Sequence, residues 1–157
     1  MVIVDAQSVP NASSGGSKGY DAGKKVSGIK RHIGVDINGL PHCIDVTPAN
    51  TTDRAGALAM FANNQETLAF LEKVLVDGGY RGDAFFNTVS ELLGAETEVA
   101  KRNEPHTFAV IPKRWVVERS FSWLEKCRRL WRNCERLLSS SKAMAQLAFI
   151  RILLRRR

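Results

Sequence analysis

The order of hydrophobic and polar positions along the chain predicts strands first, and alternating helices and strands afterwards. The β-branched run at residues 2–6 predicts a first strand, and the stretch rich in Ser, Gly and Lys at residues 7–27 predicts a long loop. Residues 30–47 predict a β-hairpin that turns near Asn38 and Gly39, because an Asn-Gly pair readily adopts the backbone angles of a tight turn.

Helices and strands alternate in the rest of the predicted order. Residues 51–53 are Thr, Thr and Asp, which cap helix N-termini well, so they predict a helix over residues 53–72 with a break near residues 63–64. The later predicted elements are a strand at 73–77, a helix at 81–93, a strand at 97–101, a loop through Pro105, a short strand at 108–111, and helices at 114–136 and 141–155. This order predicts an α/β fold, a mixed sheet flanked by helices.

The predicted helix at 114–136 is amphipathic. Its apolar face, at 100° per residue, carries Val116, Trp123, Leu124, Cys127, Leu130 and Trp131. The eight-residue spacing of Trp115, Trp123 and Trp131 predicts that all three pack in the core. On the polar face, Glu118 follows Arg114 by one turn. An ion-pair ladder worth about 0.2–0.5 kcal/mol per pair is one explanation for that glutamate, and it leaves a functional role open.

Composition narrows the class of protein. The chain has 157 residues, of which 44% are hydrophobic and 25% charged, as expected for one globular domain. No apolar run approaches the ~20 residues of a membrane span, and the first residues do not resemble a signal peptide, so we expect a cytoplasmic protein without a membrane partner. The three cysteines are not spaced as CxxC, which argues against a disulfide framework or a structural zinc site.

Positive charge is concentrated at the C-terminal end. The net charge is +7, but residues 112–157 hold thirteen Lys and Arg against three Glu, a balance of +10, and residues 1–111 have a balance of −3. A basic segment joined to a mildly acidic body is typical of a protein that binds phosphates. A helical face that merely keeps the protein soluble would give the same numbers.

Two aspartates follow apolar runs at the ends of predicted strands. Asp5 ends the first strand, and Asp77 ends the strand at 73–77, just before two glycines. Asp77 alone could serve as a turn residue. If the two strands are neighbours, however, both carboxylates meet in the crevice where α/β sheets bind ligands. With Glu118 as a third carboxylate, such a site could hold two divalent cations for phosphoryl transfer.

These residues lie in blocks that resemble the DDE transposases of bacterial insertion sequences. The blocks are VDAQSV around Asp5, GYDAGKKVSGIKRHIGVDINGL after it, VDGGYRG around Asp77, and RWVVERSFSWLEKCRRL around Glu118. In the last block, Arg114, Glu118 and Lys126 match the family's spacing of Arg, Glu and a basic residue. The resemblance covers nearly the whole chain and implies a ribonuclease-H-like fold.

The resemblance also implies roles for particular residues. Asp5, Asp77 and Glu118 become a catalytic, metal-binding triad for Mg²⁺, with Mn²⁺ able to substitute, so Glu118 is explained as the third carboxylate. The partner becomes double-stranded DNA, both transposon ends and target, bound by a homo-oligomer. The expected phosphate contacts are Lys24, Lys25, Lys30, Arg31, Arg114, Lys126, Arg128, Arg129 and Arg132. His32, beside Lys30 and Arg31, is expected at the strand surface or on a phosphate.

The chain departs from the family pattern in two places. Ile111 stands where the family block often has a Tyr, and only four residues precede Asp5. We therefore expect a single DDE catalytic domain at 1–157 with a basic helical segment at 112–157, a clipped first strand, and no N-terminal DNA-recognition region. Such a catalytic half could act with a polypeptide from an upstream reading frame and would bind DNA with little regard to sequence.

The function expected is metal-dependent cleavage of transposon ends, followed by strand transfer into target DNA. Both steps are in-line phosphoryl transfers, so one two-metal site can serve both. Two alternatives remain open at this point. One is a nuclease of the same fold, and the other is a catalytically silent DNA-binding remnant in which the clipped first strand misplaces Asp5.

Overall fold

The computed structural model of the chain describes residues 1–100 and 114–155, with only the backbone of Arg114. The loop predicted through Pro105 and the short strand predicted at 108–111 lie outside the described residues. No helix in the described part of the chain combines the length and the hydrophobicity that crossing a membrane requires.

The described strands form one mixed sheet. They are β1 (Val2–Pro10), β2 (Gly19–Asp21), β3 (Val26–Val35), β4 (Pro41–Pro48), β5 (Lys73–Val76) and β6 (Glu96–Val99). The sheet runs in the order β2-β3-β1-β5-β6, and β4 also pairs with β3. The pairs of β3 with β1, β2 and β4 are antiparallel, whereas β5 is parallel to both β1 and β6. The predicted mixed sheet is thus confirmed.

Helices cover both faces of this sheet. They are α1 (Asp53–Ala62), α2 (Asp83–Leu93), α3 (Arg114–Glu125) and α4 (Leu138–Leu154). Side chains alternate along β1, so Val2 and Val4 belong to the core under α1 and α2, and Ile3 belongs to the core under α3 and α4. An α/β mixed sheet with flanking helices is the architecture of the ribonuclease-H-like fold.

Local sequence explains the best predicted boundaries. In the β3–β4 hairpin, the Asp36 carboxylate accepts hydrogen bonds from the amides of Asn38 and Leu40, and Gly39 has a φ of +82° that favours glycine. The side chain of Thr52 caps α1 by accepting from the Ala55 amide. The predicted hairpin turn and the start of α1 are therefore confirmed.

The first strand is longer than predicted. β1 continues to Pro10, and its pairing with β3 extends from Ile3 to Pro10, so part of the loop expected at 7–27 is strand. Asp5 lies within this strand and opposite Ile33, not at its end. Val2 and Ile3 of β1 also pair with β5, ahead of Asp5 in the strand.

The basic helix is shorter than predicted. α3 ends at Glu125, not at residue 136, because the chain must turn back so that Asn133 can pair with the end of β1: its amide donates to the Pro10 carbonyl. Two of the tryptophans are exposed, Trp115 by 46% and Trp131 by 63%. The expectation that all three tryptophans pack in the core is wrong.

Candidate active site beside strands β1 and β5

The register of β1 and β5 brings Asp5 and Asp77 to the same level of the sheet. Val2 lies opposite Val74, and Ile3 opposite Leu75. The same offset of 72 residues makes Asp5 the counterpart of Asp77, the first residue after β5. Both aspartates line one narrow crevice of about 10 Å³. The structure thus brings together the two acids that the sequence singled out.

Asp77 is held by the turn that follows it. Its Oδ1 accepts a hydrogen bond of 2.8 Å from the Gly79 amide, and a short 3₁₀ turn spans Gly78–Tyr80. The Gly79 carbonyl in turn accepts a hydrogen bond of 2.9 Å from Nε of Arg54. Asp77 is therefore both a turn residue and a crevice residue, so the two interpretations of the sequence do not exclude each other.

The pKa of a buried tyrosine is raised near the two aspartates. Tyr80 is only 1% exposed and packs against Phe85, with 5.5 Å between the ring centroids. Burial raises the pKa of its hydroxyl, and the charges of Asp5, Asp53 and Asp77 raise that pKa further. The phenol therefore stays neutral beside the two aspartates.

Asp5 and its neighbour are also fixed by hydrogen bonds. The Ala6 amide donates to Oδ1 of Asp5 at 2.8 Å. The carbonyl of Ala6 accepts a hydrogen bond of 2.9 Å from Nζ of Lys24, in the loop between β2 and β3. A lysine amine thus lies one residue beyond Asp5 along β1.

Glu118 lies at the same end of the sheet, in an adjoining groove. It is exposed on α3 and follows Val117, which lines the crevice with Asp5 and Asp77. Glu118 itself lines a groove of about 270 Å³ together with Ser8 and Lys24. Within residues 1–100 and 114–155, no three carboxylate, imidazole or thiol side chains are grouped closely enough to hold a metal ion. The structure therefore brings two members of the expected triad together and leaves Glu118 beside them.

The β3–β4 hairpin determines where α3 lies. The Arg119 guanidinium donates to the Asn38 carbonyl at 2.8 Å, and the buried Ser120 hydroxyl donates to the Gly39 carbonyl at 2.9 Å. The guanidinium also stacks between Trp115 and Trp123, 4.5 and 5.0 Å from their ring centroids. Glu118 immediately precedes these two anchors, so the hairpin tip positions it.

Most of the expected phosphate contacts are exposed. The exposed side chains are those of Lys24, Lys25, Lys126, Arg128, Arg129 and Arg132. Arg129 forms an ion pair of 2.9 Å with Glu135, and the guanidinium of Arg132 lies 5.1 Å from the ring centroid of Trp131. The side chain of Arg114 lies outside the described residues.

Lys30 and Arg31 are exceptions, and the surface contact expected of them is wrong. They are 5% and 1% exposed, because β3 lies between β1 and β4 and helices cover both of its faces. Nζ of Lys30 is 2.7 Å from Asp53 and 3.2 Å from Asp21. Burial lowers the pKa of Arg31 to about 10, against the attraction of Glu125.

His32 is likewise buried rather than exposed on the strand surface. Its Nε2 lies 2.9 Å from the Thr47 hydroxyl, and burial lowers the pKa of the imidazole to about 4. Sequence analysis also missed Arg54 and the ion pairs of Lys30, because the residues involved are 9 to 25 positions apart and follow no local period.

Comparison with known proteins gives the family of this chain. The family model described as the transposase DDE domain matches residues 1–153. The chain belongs to the transposase DDE domain family. A Burkholderia cepacia protein, named as a candidate transposase for insertion sequence element IS402, is 32% identical over 116 residues. That match covers 69% of this chain and 54% of the relative, so the chain spans about half the length of this curated relative.

Transposase DDE domains generally use divalent metal ions. The chemistry of the crevice fits such an ion, because Asp5 and Asp77 offer carboxylate oxygens from neighbouring strands, and hard cations prefer oxygen ligands. The crevice of about 10 Å³ has room for only about one water molecule. A nucleic acid backbone would therefore have to lie across the mouth of the crevice.

Proposed function

We propose that this chain is the catalytic domain of a DNA transposase. It cleaves phosphodiester bonds at the ends of a mobile element and joins the freed 3′ ends to target DNA. The observation that carries the proposal is the pairing of β1 with β5, which makes Asp5, within β1, the counterpart of Asp77, just after β5. Membership in the transposase DDE domain family gives this pair of acids its chemical context.

Asp5, Asp77 and Glu118 would hold the divalent ions, Mg²⁺ or Mn²⁺. When bound, such ions activate the attacking oxygen and stabilise the charge on the leaving oxygen. Asp5 and Asp77 lie at the level at which β1 and β5 are held in register, and Glu118, which lines the adjoining groove, would supply the third carboxylate.

The protein itself supplies orientation. The Gly79 amide holds the carboxylate of Asp77, and the Ala6 amide holds that of Asp5, so neither acid needs to be reoriented during the reaction. The exposed cations that follow α3, among them Lys126 and Arg128, neutralise DNA phosphates on the same side of the sheet as Glu118. An element has two ends, so we further propose that two or more copies act together on DNA.

Cleavage of a linear DNA that carries the element's ends tests this function. Asp5→Asn, Asp77→Asn and Glu118→Gln should each lower the Mn²⁺-dependent rate by about a hundredfold or more, because misplacement of reacting groups by about 1 Å has effects of that size. Glu91→Gln is the matched control, since Glu91 is exposed on α2, away from the crevice. Circular dichroism of each variant verifies that the fold is retained.

Two outcomes would contradict the proposal. If Asp77→Asn cleaved at the rate of the wild-type protein, the carboxylate pair would not be the active site. If the wild-type protein bound DNA but left it intact with both Mg²⁺ and Mn²⁺, a silent DNA-binding remnant would describe it better. Cleavage without joining of the 3′ ends would instead indicate a nuclease of the same fold.

A further inference from the structure

A second open groove lies on the α1 side of the aspartate pair. Its volume is about 630 Å³, and it is lined by the β2–β3 loop, the start of α1 and the turn after Asp77. Gly79, two residues beyond Asp77, forms one wall. Lys24 lines both this groove and the groove that contains Glu118. Lys24, whose ammonium donates to the carbonyl of Ala6 next to Asp5, therefore lies between the two grooves.

The acidic side chains in this groove are neutralised from inside the protein. Lys30 is almost fully buried, and its ammonium lies 2.7 Å from Asp53 and 3.2 Å from Asp21. The Ser8 hydroxyl also donates to Asp21 at 2.6 Å, and this hydrogen bond is the main reason that the pKa of Asp21 is lowered. Of the cations that line the groove, Lys24 and Arg54 are exposed, whereas Lys30 is buried.

Lys24 is held in place before any ligand arrives. The Asp21 carboxylate accepts hydrogen bonds from the amides of Gly23 and Lys24 at 3.0 and 3.1 Å, which fixes the backbone of the loop. The ammonium of Lys24 lies 2.9 Å from the Ala6 carbonyl and 3.9 Å from Asp53, with 46% of the side chain exposed. A cation fixed in this way loses little freedom when it binds a phosphate.

The side chain of Arg54 is fixed by a hydrogen bond to the turn after Asp77. Its Nε donates to the Gly79 carbonyl at 2.9 Å, while the residue remains exposed at the groove. A guanidinium has five N–H donors in a planar fork, so this bond leaves the outer edge of the fork to face the groove. That geometry suits two oxygens of one phosphate.

We propose that Lys24 and Arg54 form a phosphate-binding site for the DNA strand next to the bond that is cleaved. The strand runs along the larger groove, passes Lys24 beside Asp5, and continues into the groove of Glu118. This inference rests on the proposed function, because that function makes DNA the substrate. It adds one residue, Arg54, that the sequence did not suggest, and it gives Lys24 a position in the site.

Salt dependence of DNA binding tests the proposal. Fluorescence anisotropy would measure the affinity for a duplex of about 30 base pairs in EDTA, between about 50 and 200 mM salt. Each phosphate contact adds about 0.9 to the slope of log affinity against log salt. Lys24→Gln and Arg54→Gln should each make the slope shallower by about 0.9, and the double variant by about 1.8. Lys24→Arg, which retains the charge, should keep the wild-type slope.

Lys73→Gln is the matched control. Lys73 begins β5 at the opposite end of the strand from Asp77, and its ammonium is paired with Glu98 at 3.0 Å. This variant removes the same charge and should leave the slope unchanged. Wild-type slopes in both glutamine variants would overturn the proposal, and so would an equal loss of slope in Lys73→Gln, because the effect would then be one of total charge. Thermal unfolding by circular dichroism identifies any variant that has lost its fold. If one of the two single glutamine variants is unfolded, the slope measured with the other one tests the proposal.

The result does not depend on cleavage, because EDTA removes divalent ions. A wild-type protein that shows the expected slopes but does not cut DNA with Mn²⁺ contradicts the proposed function and leaves the phosphate site intact. A protein that cuts DNA, but whose slope is insensitive to Lys24 and Arg54, contradicts the phosphate site alone.

Discussion

His32 is a buried imidazole between the central strand and α1. Its exposed fraction is 0%, its Nε2 contacts the Thr47 hydroxyl, and Gly56 of α1 packs directly against the ring. A Cβ at position 56 would lie 2.1 Å from Cε1 of the imidazole, so glycine is required there. Because burial lowers the pKa of His32 to about 4, the folded protein keeps this side chain neutral at pH 7.

Acid should therefore destabilise the protein through His32. An exposed histidine has a pKa of about 6.5, so between pH 6.5 and 4 the unfolded chain binds more protons than the folded one, and stability falls as the pH falls. A difference of about 2.5 pKa units corresponds to a loss of up to about 3 kcal/mol. Urea unfolding at pH 7 and pH 4.5 measures this loss, and it should largely disappear in His32→Gln.

Equal losses in the wild-type protein and in His32→Gln would contradict this assignment. Asp21 also has a lowered pKa, but its contribution persists above the ordinary carboxyl pKa of 3.8 and is lost below it. The contribution of Asp21 is therefore lost only at pH values below the two at which unfolding is measured, and it does not mask the effect of His32.

The same stretch shows what residue types alone could not predict. Lys30, Arg31 and His32 are consecutive polar residues, which normally indicates a surface, yet all three are buried. Helices pack on both faces of β3, and the partners of Lys30, Asp21 and Asp53, come from elements that sequence spacing does not connect. The neighbouring positions of Asp5 and Asp77 were easier to anticipate, because each follows an apolar run at a strand.

At the scale of elements, the contact between α3 and the β3–β4 hairpin links the fold to the site. The hydroxyl of Ser120 is buried and donates to the Gly39 carbonyl, 81 residues away in the chain. That carbonyl lies at the hairpin tip, where Gly39 has a positive φ. Loss of this hydrogen bond would leave a buried carbonyl without its partner and loosen the helix that carries Glu118.

Ser120→Ala should therefore lower the free energy of unfolding by about 1–3 kcal/mol, the usual cost of leaving a buried polar group without its partner. Ser122→Ala is the matched control, since Ser122 is exposed on the same helix and its hydroxyl donates to the Glu118 carbonyl within α3. The control should change stability by less than about 0.5 kcal/mol. Urea unfolding compares the two, and equal effects would show that the hairpin contact does not hold α3.

Element boundaries were predictable where local chemistry sets them. The Asn-Gly turn and the Thr52 cap lie within a few residues of the groups they satisfy. The ends of β1 and α3 were not predictable, because distant residues determine them: Asn133 meets the end of β1 through the Pro10 carbonyl, and its amide side chain donates to Asn11 at 2.9 Å. Nothing in the amphipathic period of residues 114–136 indicates that tertiary contact.

For the whole molecule, the sheet determines both how the core packs and where the charged side chains of the site lie. Two carboxylates meet in the crevice beside β1 and β5, with one groove on the α1 side and another on the α3 side. The overall α/β fold and this pair of acids followed from the order of the strands and from aspartates that come directly after apolar runs. The grooves did not, because their walls combine the β2–β3 loop, α1 and α3, whose relative positions depend on the complete fold.

The central claim is that Asp5 and Asp77 act together as a metal-binding pair. Electron paramagnetic resonance of free Mn²⁺ during titration of the protein, with duplex DNA present, measures that binding directly. The wild-type protein and Glu91→Gln should bind Mn²⁺ equally, and Asp5→Asn and Asp77→Asn should each weaken binding by about tenfold or more, since each removes one of the few carboxylates that hold such an ion. Wild-type Mn²⁺ affinity in Asp77→Asn would contradict the claim.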